Sequence, residues 1–327
     1  MKNNFIVIFL ISFFYIPKLL FSQDFSLGKE IKDTGIYIGG YFSVEYYDER
    51  EKNTLEIDDI DLITYGEFEN FDFLSELELS DSYKKIFSKE TEDNEEIHKK
   101  IHIERVYFTY YLENGDFINI GKFNSDIGFW NQIPINVLRP TTSSPHLVTD
   151  TFPKFTTGIS YTKCMEKSHF KNIVVTLQHN EDIGKSYNNF PIKRHYGVTL
   201  KYSRSGIDFK TGGGYFRYSK NNDNRYAFAS FKKEGEKFDW QGEWALRIND
   251  ESVYINDFYL QNIWHAFEKF DSVFRIEKYR HDKDYFKEWN FTIGGVYRPA
   301  TNIVIKGEYE KHTKTSNRFS LSFSMMF

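Results

Sequence analysis

The residues best suited to chemistry in this chain come in rows, with charge at every second position. Asp59, Asp61 and Glu67 share one parity, and Asp72, Glu76 and Glu78 share another a short way on. Glu45, Asp239, Glu243, Glu277, Glu308 and Glu310 extend the pattern along the chain. On an extended strand successive side chains point to opposite faces, so each row lines one face. The bases of matching parity are Arg105, Lys201, Arg247, Arg275, Arg298 and Lys306. Twelve acids against six bases would create a field that attracts cations, unless the charges pair across strands and cancel. The densest acidic patch is Asp59, Asp61, Glu67, Glu76 and Glu78.

Other reactive residue types do not form recognisable constellations. His98 and His102 are roughly 13 Å apart on a strand, too far to share an ion, so no metal site is expected. The chain contains neither a Gly-x-Ser-x-Gly elbow nor a phosphate loop, and no cofactor is implied. Gly212-Gly213-Gly214 falls within a strand pattern and marks a bend or close packing. The charge run from Lys84 to Lys100 reads as a solvated loop. Cys164 is the only cysteine, so no internal disulfide is available. Net charge is −5, or −7 once Lys2 and Lys18 are removed with a leader, which gives no case for nucleic acid.

The elements that position these rows are strands. Phe319 to Phe327 places apolar residues at every odd position, against Ser320, Ser322, Ser324 and Met326. Phe238, Trp240, Gly242, Trp244 and Leu246 alternate with Asp239, Gln241, Glu243, Ala245 and Arg247. About 16 such segments follow residue 35, including 71–83 and 101–113, with mixed parity in 223–233 and 253–267. Their connections alternate between two kinds. Glu113–Asp116, Arg204–Gly206 and Pro299–Asn302 are compact turns, whereas Lys84–Lys100, Asn124–Pro153 and Glu181–Arg194 are long and all fall on the other side. The expected fold is all-β: a closed antiparallel transmembrane β-barrel of about 16 strands with a long third outer loop. Aromatic residues make up 19% of the chain, as interfacial girdles require. No mature segment is apolar enough for a membrane helix. A soluble sandwich would leave these aromatics exposed on its outer faces, and the absence of a fixed-period repeat argues against a solenoid. Residues 1–22, with Lys2 ahead of an apolar run from Phe5 to Ile16, read as a signal peptide, leaving 23–327 as a single barrel domain.

Two segments carry functional expectations. The alternating C-terminal strand ending in Phe327 resembles the terminal strand of outer-membrane barrels, which the outer-membrane assembly machinery reads. Phe117-Ile118-Asn119-Ile120-Gly121-Lys122 leads into a loop with Trp130, Pro134, Arg139, Pro140, Pro145 and Pro153. This strand-end Gly-Lys entering a long loop resembles the Gram-negative porin superfamily, most nearly the phosphate-selective porin O/P-like family. Asp126 departs from that family's pattern and no lysine ladder is present, so phosphate selectivity is not carried over.

The resemblance implies an outer-membrane pore for passive diffusion of ions and small hydrophilic solutes, with a loop folding into the lumen. The loop's apolar side chains suit the inside wall; the other option is an outer cap. Inside the lumen, Arg139, Asp150 and His146 would be its charged constriction residues. The expected surroundings are outer-membrane lipid and lipopolysaccharide, and both monomer and homotrimer stay open. The alternatives are an outer-membrane barrel enzyme of lipase or protease type, or a structural or adhesive barrel. A pore calls for a polar, open lumen, and an enzyme for a Ser/His pair near the rim.

Overall fold

The computed structural model describes residues 27–79, 82–88, 93–97, 100–165, 170–184, 187–218, 223–249, 254–281 and 286–327. The expected signal peptide and His98 lie outside them. The element order begins β1 (Lys29–Glu30), β2 (Ile36–Glu49), β3 (Lys52–Glu67), β4 (Phe71–Glu78), β5 (Tyr83–Ser88), β6 (Asn94–Ile97), β7 (His102–Tyr111) and β8 (Phe117–Asn124). Next comes a loop with two 3-10 turns, Trp130–Gln132 and Asn136–Leu138, and a one-turn helix α1 (His146–Asp150). The chain continues with β9 (Phe155–Cys164), β10 (Phe170–Gln178), β11 (Ile192–Arg204), β12 (Ile207–Tyr218), β13 (Asp223–Lys233) and β14 (Phe238–Asn249). It ends with β15 (Tyr254–Phe267), β16 (Phe270–His281), β17 (Phe286–Ala300), β18 (Ile303–His312) and β19 (Arg318–Met326).

All strand pairings are antiparallel. The sheet closes where β19 meets β2, from Arg318 opposite Glu49 to Met326 opposite Tyr41. Phe327 extends this seam, its amide donating to the Gly40 carbonyl at 2.9 Å and its carbonyl accepting from the Gly40 amide at 2.9 Å. In hydrocarbon an unpaired strand edge would cost several kcal/mol per group, so closure is what allows strands to span a membrane.

Sixteen staves make the wall, because two of them are broken. β5 pairs with the first half of β3 and β4 with its second half, so β4 and β5 form one stave. β6 pairs with β5 and β7 with β4, forming the next. β1 is a short strand laid against β2. The Lys84–Lys100 run is therefore not simply a solvated loop, since β5 and β6 lie within it. The charge run is cross-strand complementary: Lys84 faces both Glu56 and Glu96, and Lys85 faces Glu95. Opposite charges facing across a ladder support pairing.

Outward parity is apolar, as a lipid contact requires. Leu62, Leu77, Ile120, Ile159, Leu177, Val198 and Ile293 are exposed on the outer wall, and Phe71, Tyr110, Phe238, Trp264 and Phe267 sit towards the short-turn end. The inner face of β19 carries buried Ser320, Ser322 and Ser324. Wall and closure together define a closed antiparallel β-barrel with an apolar outer face, the form in which strands span a membrane.

The interior departs from a uniformly polar lumen. Phe216, Tyr226, Phe228, Ala245 and Tyr259 on β12–β15 point inward and pack with Ile127, Trp130, Leu147, Val148 and Phe152 of the long loop. A second cluster joins Ile135 and Val137 of the loop to Ile63, Val273, Val296 and Val304. Inward aromatics explain the mixed parity of 223–233 and 253–267: these staves face a packed loop instead of water. The glycine run on β12 makes room for this packing. A Cβ on Gly214 would lie 2.6 Å from the Tyr226 hydroxyl and 2.3 Å from the Tyr196 carbonyl oxygen.

Candidate functional site: the barrel interior

The loop between β8 and β9 enters the barrel and crosses it, held by the charged side chains that parity places inside. Asp126 starts the crossing, with Lys201 Nζ at 2.8 Å and Lys210 Nζ at 2.9 Å. Burial works against the Asp126 carboxylate, but Lys210 and Lys201 hold it below its ordinary range. Glu243 Oε1 then accepts from the amides of Phe129 at 3.1 Å and Trp130 at 2.8 Å, and from the Tyr259 hydroxyl at 2.5 Å. Gly128 permits this approach. Its φ is +66°, and a Cβ there would lie 1.9 Å from Glu243 Oε2.

Further along, the loop reaches the opposite wall. The Asn136 side-chain amide donates to Glu45 at 3.0 Å and to Asp59 at 3.3 Å, and the Asn136 backbone carbonyl accepts from Lys306 at 2.8 Å. Arg298 donates to the Val137 carbonyl at 2.7 Å. Glu308 accepts from the Thr142 and Ser143 amides at 3.1 and 2.8 Å, while Arg275 donates to the Ser143 carbonyl at 2.9 Å. Glu277 accepts from the His146 amide at 3.1 Å. Hydrogen bonds to charged groups are worth about 1.5–3 kcal/mol each. The loop is thus fixed at many points and not draped over the mouth. The next outer connection seals it, because Asn189 donates to the Phe152 and Thr149 carbonyls at 2.8 and 3.0 Å.

Of the three residues expected at a constriction, two meet. His146 Nδ1 lies 3.9 Å from Asp150 Oδ2 on α1, and the His146 ring stacks on Tyr279 with centroids 4.0 Å apart. Arg139 instead braces its own loop, donating to the Ile133 and Pro134 carbonyls at 3.0 and 2.6 Å. The loop tip borders two cavities. One of about 450 Å³ lies between Pro134, Ile135 and the wall at Ile63, Glu67, Asp72 and Arg105. The other, of about 220 Å³, lies between Ile133, Leu138, Pro140 and the wall at Asp239, Gln261, Asp271 and Arg298.

The acidic patch is tighter and larger than strict alternation implies. Asp59, Asp61 and Glu78 offer ligand atoms within 4.8 Å of one another, as do Asp61, Glu76 and Glu104, and Glu45, Glu56 and Asp58. Glu67 stands apart, exposed at the end of β3 beside the larger cavity. Glu56, Asp58 and Glu104 were not anticipated. A bulge opposite Ser43 shifts the β2–β3 register between Phe42 and Val44, so both Asp58 and Asp59 reach the group. Another shifts the β4–β7 register between Glu76 and Leu77, bringing Glu104 in beside Arg105. A bulge sets two residues against one, so parity changes across it. Arg105 pairs with Glu76, and Lys84 Nζ lies 2.7 Å from Glu56.

Lys122, the lysine of the Gly-Lys strand end, is fully buried. It donates to the Ile103 carbonyl at 2.8 Å and lies over the Phe155 and Tyr187 rings. Such a lysine is spent on packing the wall. One hydroxyl–imidazole chain runs inside the barrel: Ser125 to Thr156 at 2.8 Å, Thr156 to His195 Nδ1 at 2.8 Å, and His195 Nε2 to Tyr226 at 2.8 Å. It is buried, and among these contacts the imidazole meets no carboxylate, so it reads as a satisfied internal network and not as a nucleophile with its base.

No protein-family model matches the chain, and no curated protein matches it. Solved structures do match in fold. The outer membrane channel DcaP of Acinetobacter baumannii is 11% identical, with 92% of this chain and 100% of that one covered, at a TM-score of 0.62. An anion-selective porin from Comamonas acidovorans is 11% identical over 89% and 99% of the two chains, at 0.63. Salmonella typhi OmpF, solved with daunomycin, is 9% identical over 91% and 100%, at 0.63. The chain therefore has the fold of Gram-negative outer-membrane porins along essentially the whole described barrel.

Proposed function

We propose that this barrel is a passive outer-membrane channel for ions and small hydrophilic solutes, restricted by the loop between β8 and β9 and preferring cations. The observation that carries the reading is the loop's anchorage. Inward charges on β11, β12, β14, β16, β17 and β18 bind it across the interior, which narrows the route to the spaces on either side of its tip. The smaller space, about 220 Å³, has room for several waters, a scale suited to ions and small solutes. Arg139 acts by stiffening the tip, and His146 and Asp150 present the charge of α1.

Cation preference follows from where acids remain in excess. Loop binding and pairing occupy Glu243, Glu277, Glu308 and Glu310 on one side, whereas carboxylates crowd together on β2, β3, β4 and β7. The fold neighbours include an anion-selective porin. Inside this barrel Lys201, Lys210 and Lys306 are engaged with the loop and Lys122 with the wall, which weighs against phosphate selectivity. The test is the zero-current potential across planar bilayers in a KCl gradient. A cationic sign that shrinks towards 1 M salt, where the Debye length is about 3 Å, supports the reading. An anionic sign refutes the preference, and a barrel that never conducts refutes the channel.

A further inference from the structure

Asp61 is the anomaly of the interior. It is 2% exposed, and neither of its carboxylate oxygens has a hydrogen-bond partner among the described residues. It stands directly across the ladder from Glu78, a like-charge pair that a sheet does not tolerate without compensation. The neighbouring acidic group shows what compensation by protein looks like: Glu45 accepts from Asn136 at 3.0 Å, and Glu56 has Lys84 at 2.7 Å. Asp61 has no such partner, yet it belongs to two triads at once, with Asp59 and Glu78 on one side and Glu76 and Glu104 on the other. Among the described residues Arg105 is the cation in salt-bridge contact with these five acids, at Glu76; Lys154 acts on Glu78 and Glu104 from nearby, and the Tyr187 hydroxyl bonds Glu78.

We propose that Asp59, Asp61, Glu76, Glu78 and Glu104 form a binding site for a divalent cation, calcium in particular, with Asp61 as its central ligand. Oxygens that each lie about 2.4 Å from one ion are at most about 4.8 Å apart, which is the span of both triads. An all-carboxylate donor set is a hard one, suited to calcium or magnesium and not to softer metals. Calcium takes six to eight oxygens in irregular geometry, whereas magnesium keeps several waters in a near-octahedral shell. A group of five carboxylates, four of them buried and Asp59 half-buried, with Tyr41 donating to Glu76 at 3.1 Å and Glu104 at 3.3 Å, fits the former. The ion would join β3, β4 and β7 at the level where both bulges turn extra acids inward. This site does not depend on conduction.

The test uses the full refolded barrel in detergent, stripped with chelator and titrated with terbium. Tyr41 beside the site provides the sensitiser for tyrosine-excited terbium luminescence, and calcium provides the competitor. The expected result is sensitised emission displaced by micromolar to low-millimolar calcium. D61N and E78Q should each weaken calcium binding at least tenfold, and E69Q on the exposed turn should not. Heat-modifiable mobility confirms that each variant is folded; if D61N fails this check, E78Q and E104Q decide. Absence of calcium-displaceable emission in the wild type, or wild-type calcium affinity in folded E78Q and E104Q, overturns the proposal.

Discussion

Replacing Glu243 with Ala removes the loop anchor that follows Asp126. Its Oε1 accepts the Phe129 and Trp130 amides and the Tyr259 hydroxyl; the latter two are buried and Phe129 is half-buried. The two amide bonds belong to the docking of the loop. At about 1.5–3 kcal/mol for each bond to a charged acceptor, their loss is roughly 3–6 kcal/mol, and water entering the vacated space reduces this to about 2–4 kcal/mol. Every ~1.4 kcal/mol is a factor of ten, so the population with residues 126–132 undocked should rise roughly 30- to 1,000-fold. Thr142, Ser143 and Asn136 keep their own anchors, so the tip should stay in place. Chymotrypsin reads the opened population directly, because it cleaves after aromatic residues such as Phe129 and Trp130, and Trp130 is 2% exposed in the docked loop. E243A should be cut within 126–132 and should show added open-channel noise, while E243Q, which retains an acceptor oxygen, should lie between. A folded E243A barrel as resistant and as quiet as wild type would refute the claim that lumen charges hold the loop.

Acid should loosen the same segment. The folded-state pKa of Asp126 is depressed, so its stabilisation is complete above its unfolded value of about 3.9 and is lost as pH falls through the lower folded value. Cleavage within 126–132 by pepsin, an acid-active protease that cuts at aromatic residues, should therefore rise below about pH 4 in wild type, and D126N should already show raised chymotryptic cleavage at pH 7. Deleting Phe327 removes the backbone bonds to Gly40 at the seam and should slow outer-membrane insertion without blocking secretion, read as the heat-modifiable fraction. An unchanged fraction would mean that the terminal residue is not used in assembly.

Sequence alternation carried most of the architecture. The staves, their sidedness and the closing strand were legible because lipid on one face forces period two. What escaped was local. Asp58 and Glu104 joined the acidic group through bulges, and nothing in single-residue spacing marks the point where one strand gains a residue over its partner. Lys84 and Lys85 were hidden in the opposite way. A charge run reads as solvent-facing until its cross-strand partners Glu56 and Glu95 are known.

The interior was legible in composition but not in use. Proline and apolar content marked the 124–153 loop as one that must pack, and the inward parity of Glu243, Glu277 and Glu308 was readable. That these acids bind loop amides was not, because a backbone donor has no sequence signature. Tyr226, Phe228 and Tyr259 blurred the parity of their strands for the same reason: their apolar partners are 70 or more residues away in the chain, in a loop that the strand pattern does not register.

The most direct measurement is single-channel conductance of the wild-type barrel beside a variant in which Ile133–Pro140 is replaced by two glycines. This deletion removes the segment that divides the two cavities while leaving the Asp126, Glu243 and Glu308 anchors in place. The account predicts a small wild-type conductance that rises severalfold in the variant. Equal conductance in two folded barrels would contradict the claim that the inward loop restricts the pore.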